Sequence, residues 1–186
     1  MIKLSKIYRE IAFISKNWAD WNADLVKDVN IRQEMLSLPK NIVGELAKKY
    51  FPHNIDGYKY IWSSIIDKLG DKPADESVWL LMTKDVLQES RSQSYSQQKN
   101  IVAELAETTG VPYQVPTILE AATCMLAEYS RSGRRLISDN PWTYKRCQEN
   151  VQGYQTVVGG FAPAGLIVDS FDYVDDNIGV AALRKF

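Results

Sequence analysis

Val157-Val158-Gly159-Gly160-Phe161-Ala162-Pro163-Ala164-Gly165-Leu166, and then Ile178-Gly179-Val180-Ala181-Ala182-Leu183-Arg184-Lys185-Phe186, are apolar runs suited to core strands. Between them lies Asp169-Ser170-Phe171-Asp172-Tyr173-Val174-Asp175-Asp176-Asn177. Its carboxylates make it too acidic to bury, and its two rings make it too aromatic for a mere spacer. It reads as a displayed binding surface. The plain alternative is a polar loop with two aromatics folded back.

Working outward, the chain of 186 residues is long enough to bury a sizeable core as one domain, or as one domain and a smaller one. Hydrophobic content of 45% with 24% charge is that of a soluble globular chain. A net charge of −1 gives no electrostatic reason to expect nucleic acid or an anionic membrane as partner. No apolar run approaches the roughly 20 residues of a membrane span. Met1-Ile2-Lys3-Leu4-Ser5-Lys6-Ile7-Tyr8-Arg9-Glu10 has charges where a signal peptide needs an apolar centre, so export by the general route is not expected. Cys124 and Cys147 have no paired spacing and read as two thiols rather than a bridge. His53 is the only histidine, so a zinc site and a histidine-based catalytic centre are not expected.

Upstream the pattern is helical. Ile7, Ile11, Ile14, Trp18, Trp21 and Leu25 form one stripe, a second helix is expected over residues 41–50, and a third over residues 58–69, stopped by Gly70. Trp18, Trp21, Tyr58 and Trp62 read as core packing, with a docking surface as the alternative. Asp71-Lys72-Pro73-Ala74-Asp75 reads as a linker, and Val78-Trp79-Leu80-Leu81-Met82 as a short strand. Ser94 or Ser96 is placed to cap a helix that carries Ile101, Val102 and Leu105 inward and closes at Gly110. Thr117, with Glu120 three residues on, predicts a capping box. The helix it starts buries Leu119, Ala122, Met125 and Leu126 and holds Cys124. Arg131-Ser132-Gly133-Arg134-Arg135 reads as a solvated helix end. Trp142, Tyr144 and Tyr154 read as scaffold packing, with one or two of them lining the binding face. The expected class is α+β: a helical region over residues 1–72, then a second domain over residues 76–186.

The run Ser94-Tyr95-Ser96, a helix, then Thr109-Gly110-Val111-Pro112-Tyr113-Gln114-Val115-Pro116-Thr117-Ile118-Leu119-Glu120-Ala121 resembles the core of the formylglycine-generating and sulfatase-modifying domains. The resemblance implies a C-type-lectin-like fold. Gln114 stands where that family has Arg, Val115 where it has Leu, and Ala121 where it has Trp. Ile178-Gly179-Val180 through Arg184 is similar to the family's closing Gly-aromatic-Arg strand. The catalytic members need a cysteine pair near the C-terminal end for copper, and none follows Cys147, so no catalytic residue, metal or cofactor is implied.

A second branch of the fold is closer: the variable proteins of diversity-generating retroelements, including phage tropism determinants. There a Gly-Gly turn precedes a segment rewritten by adenine-specific mutagenesis, and an Asn-Ile-Gly stretch resumes the scaffold. Gly159-Gly160 and Asn177-Ile178-Gly179 resemble that bracket, and every residue of 169–177 belongs to the set that such rewriting of Asn-type codons yields. The resemblance implies a non-enzymatic protein that binds a protein ligand through Asp169, Ser170, Phe171, Asp172, Tyr173, Asp175, Asp176, Asn177 and Tyr154. A carrier or self-association through the helical region is expected with it, and the charged N-terminal stretch leaves a cytoplasmic and a virion-associated location equally open. Phe171 and Tyr173 supply contact area at low rotamer entropy, and the carboxylates favour a basic partner. The alternative is a metal-dependent sugar binder or a divergent enzyme on the same scaffold. Clustered carboxylates suit calcium, although residues 166–178 lack the tight glycine turn of a calcium loop.

Overall fold

A computed structural model describes residues 58–70 and 79–186. The two helices expected before residue 51 and the linker at residues 71–75 lie outside the described residues. What is described is α+β. In chain order the elements are β1 (Tyr58–Ile61), α1 (Ser63–Leu69), β2 (Leu80–Met82), α2 (Tyr95–Thr109), α3 (Ile118–Ser132), β3 (Tyr144–Val151), β4 (Tyr154–Ala162), β5 (Gly165–Ser170), β6 (Ile178–Val180) and β7 (Leu183–Lys185).

The main sheet has the order β1-β5-β4-β3-β6. Its centre is the antiparallel run β3-β4-β5, and the two edges, β1 on β5 and β6 on β3, pair parallel. β3 and β4 are joined by Gln152-Gly153, both at positive φ, which suits a two-residue hairpin whose twist matches its strands. A second, two-stranded sheet pairs β2 antiparallel with β7, bringing Leu80 opposite Lys185 and closing residues 80–185 on themselves.

The expectation of a helix from Tyr58 is corrected here. Tyr58, Ile61, Trp62 and Ile65 have helical spacing, yet the helix begins only at Ser63. Tyr58–Ile61 instead lies beside β5, with Ile61 opposite Val168, and Trp62 N–H donates to the Val168 carbonyl (3.0 Å). A strand partner satisfies the backbone and also packs Tyr58 and Ile61 on the core, and that outweighs local periodicity. The sheet therefore reaches back across the expected linker.

The caps expected at Ser94, Thr117 and Gly110 are present. Ser94 and Thr117 each close a capping box, with Gln97 and Glu120, and Gly110 ends its helix in the left-handed conformation; Gly133, not singled out from sequence, ends α3 in the same way. α3 buries Ile118, Ala121, Ala122, Met125 and Leu126 with Cys147, Val158, Phe161 and Leu166 in one core cluster. Ile118, rather than Leu119, takes the inner position, and Leu119 is half-buried. Each large side chain so buried contributes about 1.5–3 kcal/mol. Cys124 and Cys147 are not joined in a disulfide, and burial pushes the Cys124 thiol up to about 12, which keeps it protonated at neutral pH.

The core face also holds a lysine. Lys145 is fully buried, and its ammonium donates to the carbonyls of Thr83 (3.0 Å) and Lys84 (3.5 Å). Burial, only partly offset by Cys124, Asp85 and Cys147, pulls it from 10.5 down to about 8. Between those values the unfolded chain holds the Lys145 proton more tightly than the folded one, so the contribution of Lys145 to stability rises with pH from about 8 to 10.5, and below about 8 the penalty is fully present. A displacement of that size corresponds to about 3 kcal/mol. Lys145→Met is expected to raise stability at neutral pH by about 1–2 kcal/mol, net of the lost carbonyl contacts, and to abolish that rise. Urea unfolding of both proteins across the window checks it, and a stability difference between them that does not change with pH would refute the account. Cys124, raised from 9 to about 12, and Tyr95, raised from 10 to about 12, pull stability the other way above pH 9 and pH 10, and because both proteins carry them the difference between wild type and variant reads Lys145.

Candidate functional site

Alternation along the central strands divides their side chains between two faces. Lys145, Cys147, Val158 and Val168 face α3. Arg146, paired across to Val157 and then Asp169, faces away from it, as does Tyr144. On that outer face the rings make a continuous row. Trp142 stacks on Tyr144 (6.2 Å, 12°), Tyr144 meets the edge of Phe171 (5.3 Å, 86°), and Phe171 tilts against Tyr173 (5.1 Å, 33°). The two ends are exposed, Trp142 at 40% and Tyr173 at 52%, while Tyr144 and Phe171 are half-buried. Lys59 Nζ lies 5.1 Å from the Trp142 ring centre and extends the row toward β1.

Gly159 and Gly160 are not a turn before the segment, as expected, but lie inside β4, at an irregularity in its pairing with β5. The turn falls at Pro163-Ala164. Gly160 has φ +53°, and a Cβ there would sit 2.7 and 2.9 Å from ring carbons of Trp142. The glycine is what lets the indole lie down on the strand.

Residues 171–177 form a loop from the end of β5 to β6 whose backbone is held on both sides. Phe171 N–H donates to the Gln155 carbonyl (2.9 Å), and Tyr144 N–H donates to the Asn177 carbonyl (2.8 Å). Arg146 Nη2 donates to the Tyr173 carbonyl (2.6 Å), Ser92 N–H to the Asp175 carbonyl (3.0 Å), and Arg91 Nη1 to the Asp176 carbonyl (2.7 Å). Arg146, 2% exposed, also donates through Nη1 to the Gln93 carbonyl (3.2 Å) and to Gln98 Oε1 (3.4 Å). The loop is thus anchored through its carbonyls by residues outside it, and its own side chains are largely released from that work.

The expected site residues divide accordingly. Asp172, Tyr173 and Asp176 are exposed, with Val174 beside them at 54%. Phe171 is in the ring row. Asp169 and Ser170 end β5 and are half-buried. Asp175 turns back on the chain: its carboxylate accepts the Asn177 N–H (3.1 Å), and that bond, followed by Asp176, holds it below the usual carboxylate range. Asn177 is half-buried, and its Oδ1 is buried with no hydrogen-bond partner. Tyr154 does not join them. By alternation with Val158 it lies on the α3 face, edge-on to Trp62 (6.4 Å, 81°), where β1 has brought that indole. Trp142 belongs to the site rather than only to the scaffold, and so does Tyr144. Arg146 was not singled out from sequence, and its only local signal is the alternation Tyr144, Arg146 against Lys145, Cys147 in β3.

Burial raises the Asp169 carboxyl above its usual range, with the Ser170 N–H (2.8 Å) opposing it. Tyr144 is raised by burial and then by Tyr173 and Asp169; Tyr173 is raised by burial and then by Asp175 and Asp169. One carboxylate and two phenols therefore act on one another within the ring row. Among the described residues, no three carboxylate, thiol or imidazole groups gather as a metal site would require, and no helix is long and apolar enough to cross a membrane. Compared with protein-family models, curated proteins and solved structures, the chain matches none.

Proposed function

We propose that the chain is a non-enzymatic binding protein that displays an exchangeable surface for protein recognition on a C-type-lectin-like scaffold, in the manner of diversity-generating retroelement variable proteins. The observation that carries this reading is the division of labour in residues 171–177. The loop is tethered by hydrogen bonds from Arg146, Ser92 and Arg91 to its carbonyls, while Asp172, Tyr173, Val174 and Asp176 project into solvent. Such a segment tolerates side-chain replacement without a matching loss of fold. Also in support are the two successive capped helices at the places the family resemblance implies, and the pairing of β2 with β7 that closes the domain. The N-terminal region would serve to dock the domain on a carrier or on a second copy.

Only part of the bracketed segment can vary on this reading, because Phe161, Leu166 and Val168 are core. Randomising Asp172, Tyr173, Val174 and Asp176 together is expected to leave most variants folded, with individual costs within about 0.5 kcal/mol of zero, and to yield binders on selection against a folded protein target. Thermal unfolding of unselected clones checks the first part and selection the second. In genes from close relatives, differences should concentrate at these outward positions. Differences spread evenly along the chain, or a library that mostly unfolds, would overturn the proposal.

A further inference from the structure

Among the described residues, Asp169 has no counter-ion. It is half-buried at the end of β5, one oxygen accepts the Ser170 N–H (2.8 Å), and among the described residues no lysine or arginine lies within salt-bridge distance of it. The nearest guanidinium in the sheet, Arg146, is committed to the carbonyls of Gln93 and Tyr173 and to Gln98, and the carboxylate that acts on it is Asp172. Burying part of a carboxylate with no cation beside it costs stability, and the cost is recovered if a ligand brings the cation.

The surroundings of Asp169 limit what that cation is. Phe171 follows two residues later on the same face, set edge-on to Tyr144 and tilted on Tyr173, so aromatic surface flanks the carboxylate. Tyr144 and Tyr173, on either side of Phe171 in the ring row, each carry a hydroxyl oxygen able to accept from a donor laid on that row. Asp172 and Asp176 add negative charge at the exposed rim, and residues 169–177 include no lysine or arginine. A flat cation with several donors, able to lie on a ring while pointing N–H groups at separate oxygens, meets all of these features. An ammonium, a compact and strongly hydrated point charge, meets only the carboxylate.

We propose that Asp169, Tyr144, Phe171 and Tyr173 form a subsite for a guanidinium group, the arginine side chain of a protein partner. The assignment rests on the binding-surface reading above and gives it a partner chemistry. Arginine at this subsite would be the anchor, and the rim carboxylates would steer a basic surface toward it.

Ethylguanidinium and ethylammonium, titrated separately into the full chain with aromatic and Asp169 carboxyl resonances followed by NMR, test it. Ethylguanidinium is expected to shift Tyr144, Phe171 and Tyr173 saturably, and to bind about tenfold more weakly to Asp169→Asn, a change that keeps the acceptor for Ser170. Phe171→Leu retains the carboxylate and removes a ring, and it should weaken binding as well. Ethylammonium should bind at least about threefold more weakly than ethylguanidinium. Shifts that never saturate, that are unchanged in Asp169→Asn, or that map to another face overturn the subsite, as does equal binding of the two cations. The randomised library does not alter Asp169 or Phe171 and is selected for any target, so it can still succeed if the guanidinium subsite fails. The two proposals therefore fail separately.

Discussion

Arg146→Met is expected to destabilise the protein by about 3 kcal/mol and to loosen residues 172–177 well beyond that global loss. The guanidinium is almost wholly buried under the loop and makes charge-assisted bonds to two carbonyls and an amide oxygen. Methionine fills most of the volume but donates nothing, so the Gln93 carbonyl and Gln98 Oε1 lose a buried partner and the Tyr173 carbonyl loses its tether. Relief from burying a charge offsets part of this, because burial already draws the Arg146 pKa downward. Chemical denaturation measures the global term. Amide exchange measures the local one: protection in residues 172–177 should fall about tenfold more than in β4. An R146M protein whose loop exchanges in step with the rest of the sheet would show that the loop is held by something other than this side chain.

Gly159→Ala should be about as costly, near 3 kcal/mol, for a different reason. An added Cβ would collide with the Thr143 carbonyl oxygen and lie 2.7 Å from Tyr144 Cα and 2.9 Å from Ile137 Cγ2. Two of these are backbone atoms and cannot rotate away. The Thr143 carbonyl is itself engaged by the Gly160 N–H (2.8 Å), and the Ile137 carbonyl by the Phe161 N–H (3.0 Å), so relief by moving β3 breaks bonds on which Trp142 and Tyr144 depend. The ring row should be disturbed with the stability, visible as a loss of near-ultraviolet circular dichroism. Gly133→Ala is the comparison. Gly133, unlike Gly159, has positive φ, and nothing lies within 4 Å of a Cβ placed there, so only the backbone penalty of about 1 kcal/mol applies. If the two substitutions cost the same, close approach is not the reason for glycine at position 159.

The features legible in the sequence are those settled within a few residues. Ser94 with Gln97, and Thr117 with Glu120, satisfy helix N-termini by bonds that span three positions, and Gly110 ends its helix by its own φ. The exposure of Asp172, Tyr173 and Asp176 was legible for a similar reason, since four carboxylates in nine residues cannot be buried without partners. Tyr58–Ile61 was misjudged because its spacing fits a helix face, and only the presence of β5 beside it makes a strand the better solution. Gly159-Gly160 suggested a turn because two glycines usually mark one. Their service as contact points for Thr143 and Trp142 depends on a strand pairing that local rules do not contain.

Alone, then, the chain of residues determined two capped helices, the apolar strands, and an acidic, aromatic segment between strands that must stay in contact with water. Tertiary structure decided which side chains share its surface. Pairing of β3 with β4 and β6 set Trp142 and Tyr144 beside Phe171, put Arg146 beneath the Tyr173 carbonyl, and turned Tyr154 to the opposite face. The reason is physical: capping and turn preferences act over three or four residues along the chain, whereas strand register is chosen by the total burial of partners distant in sequence, and a shift of one residue exchanges the two faces.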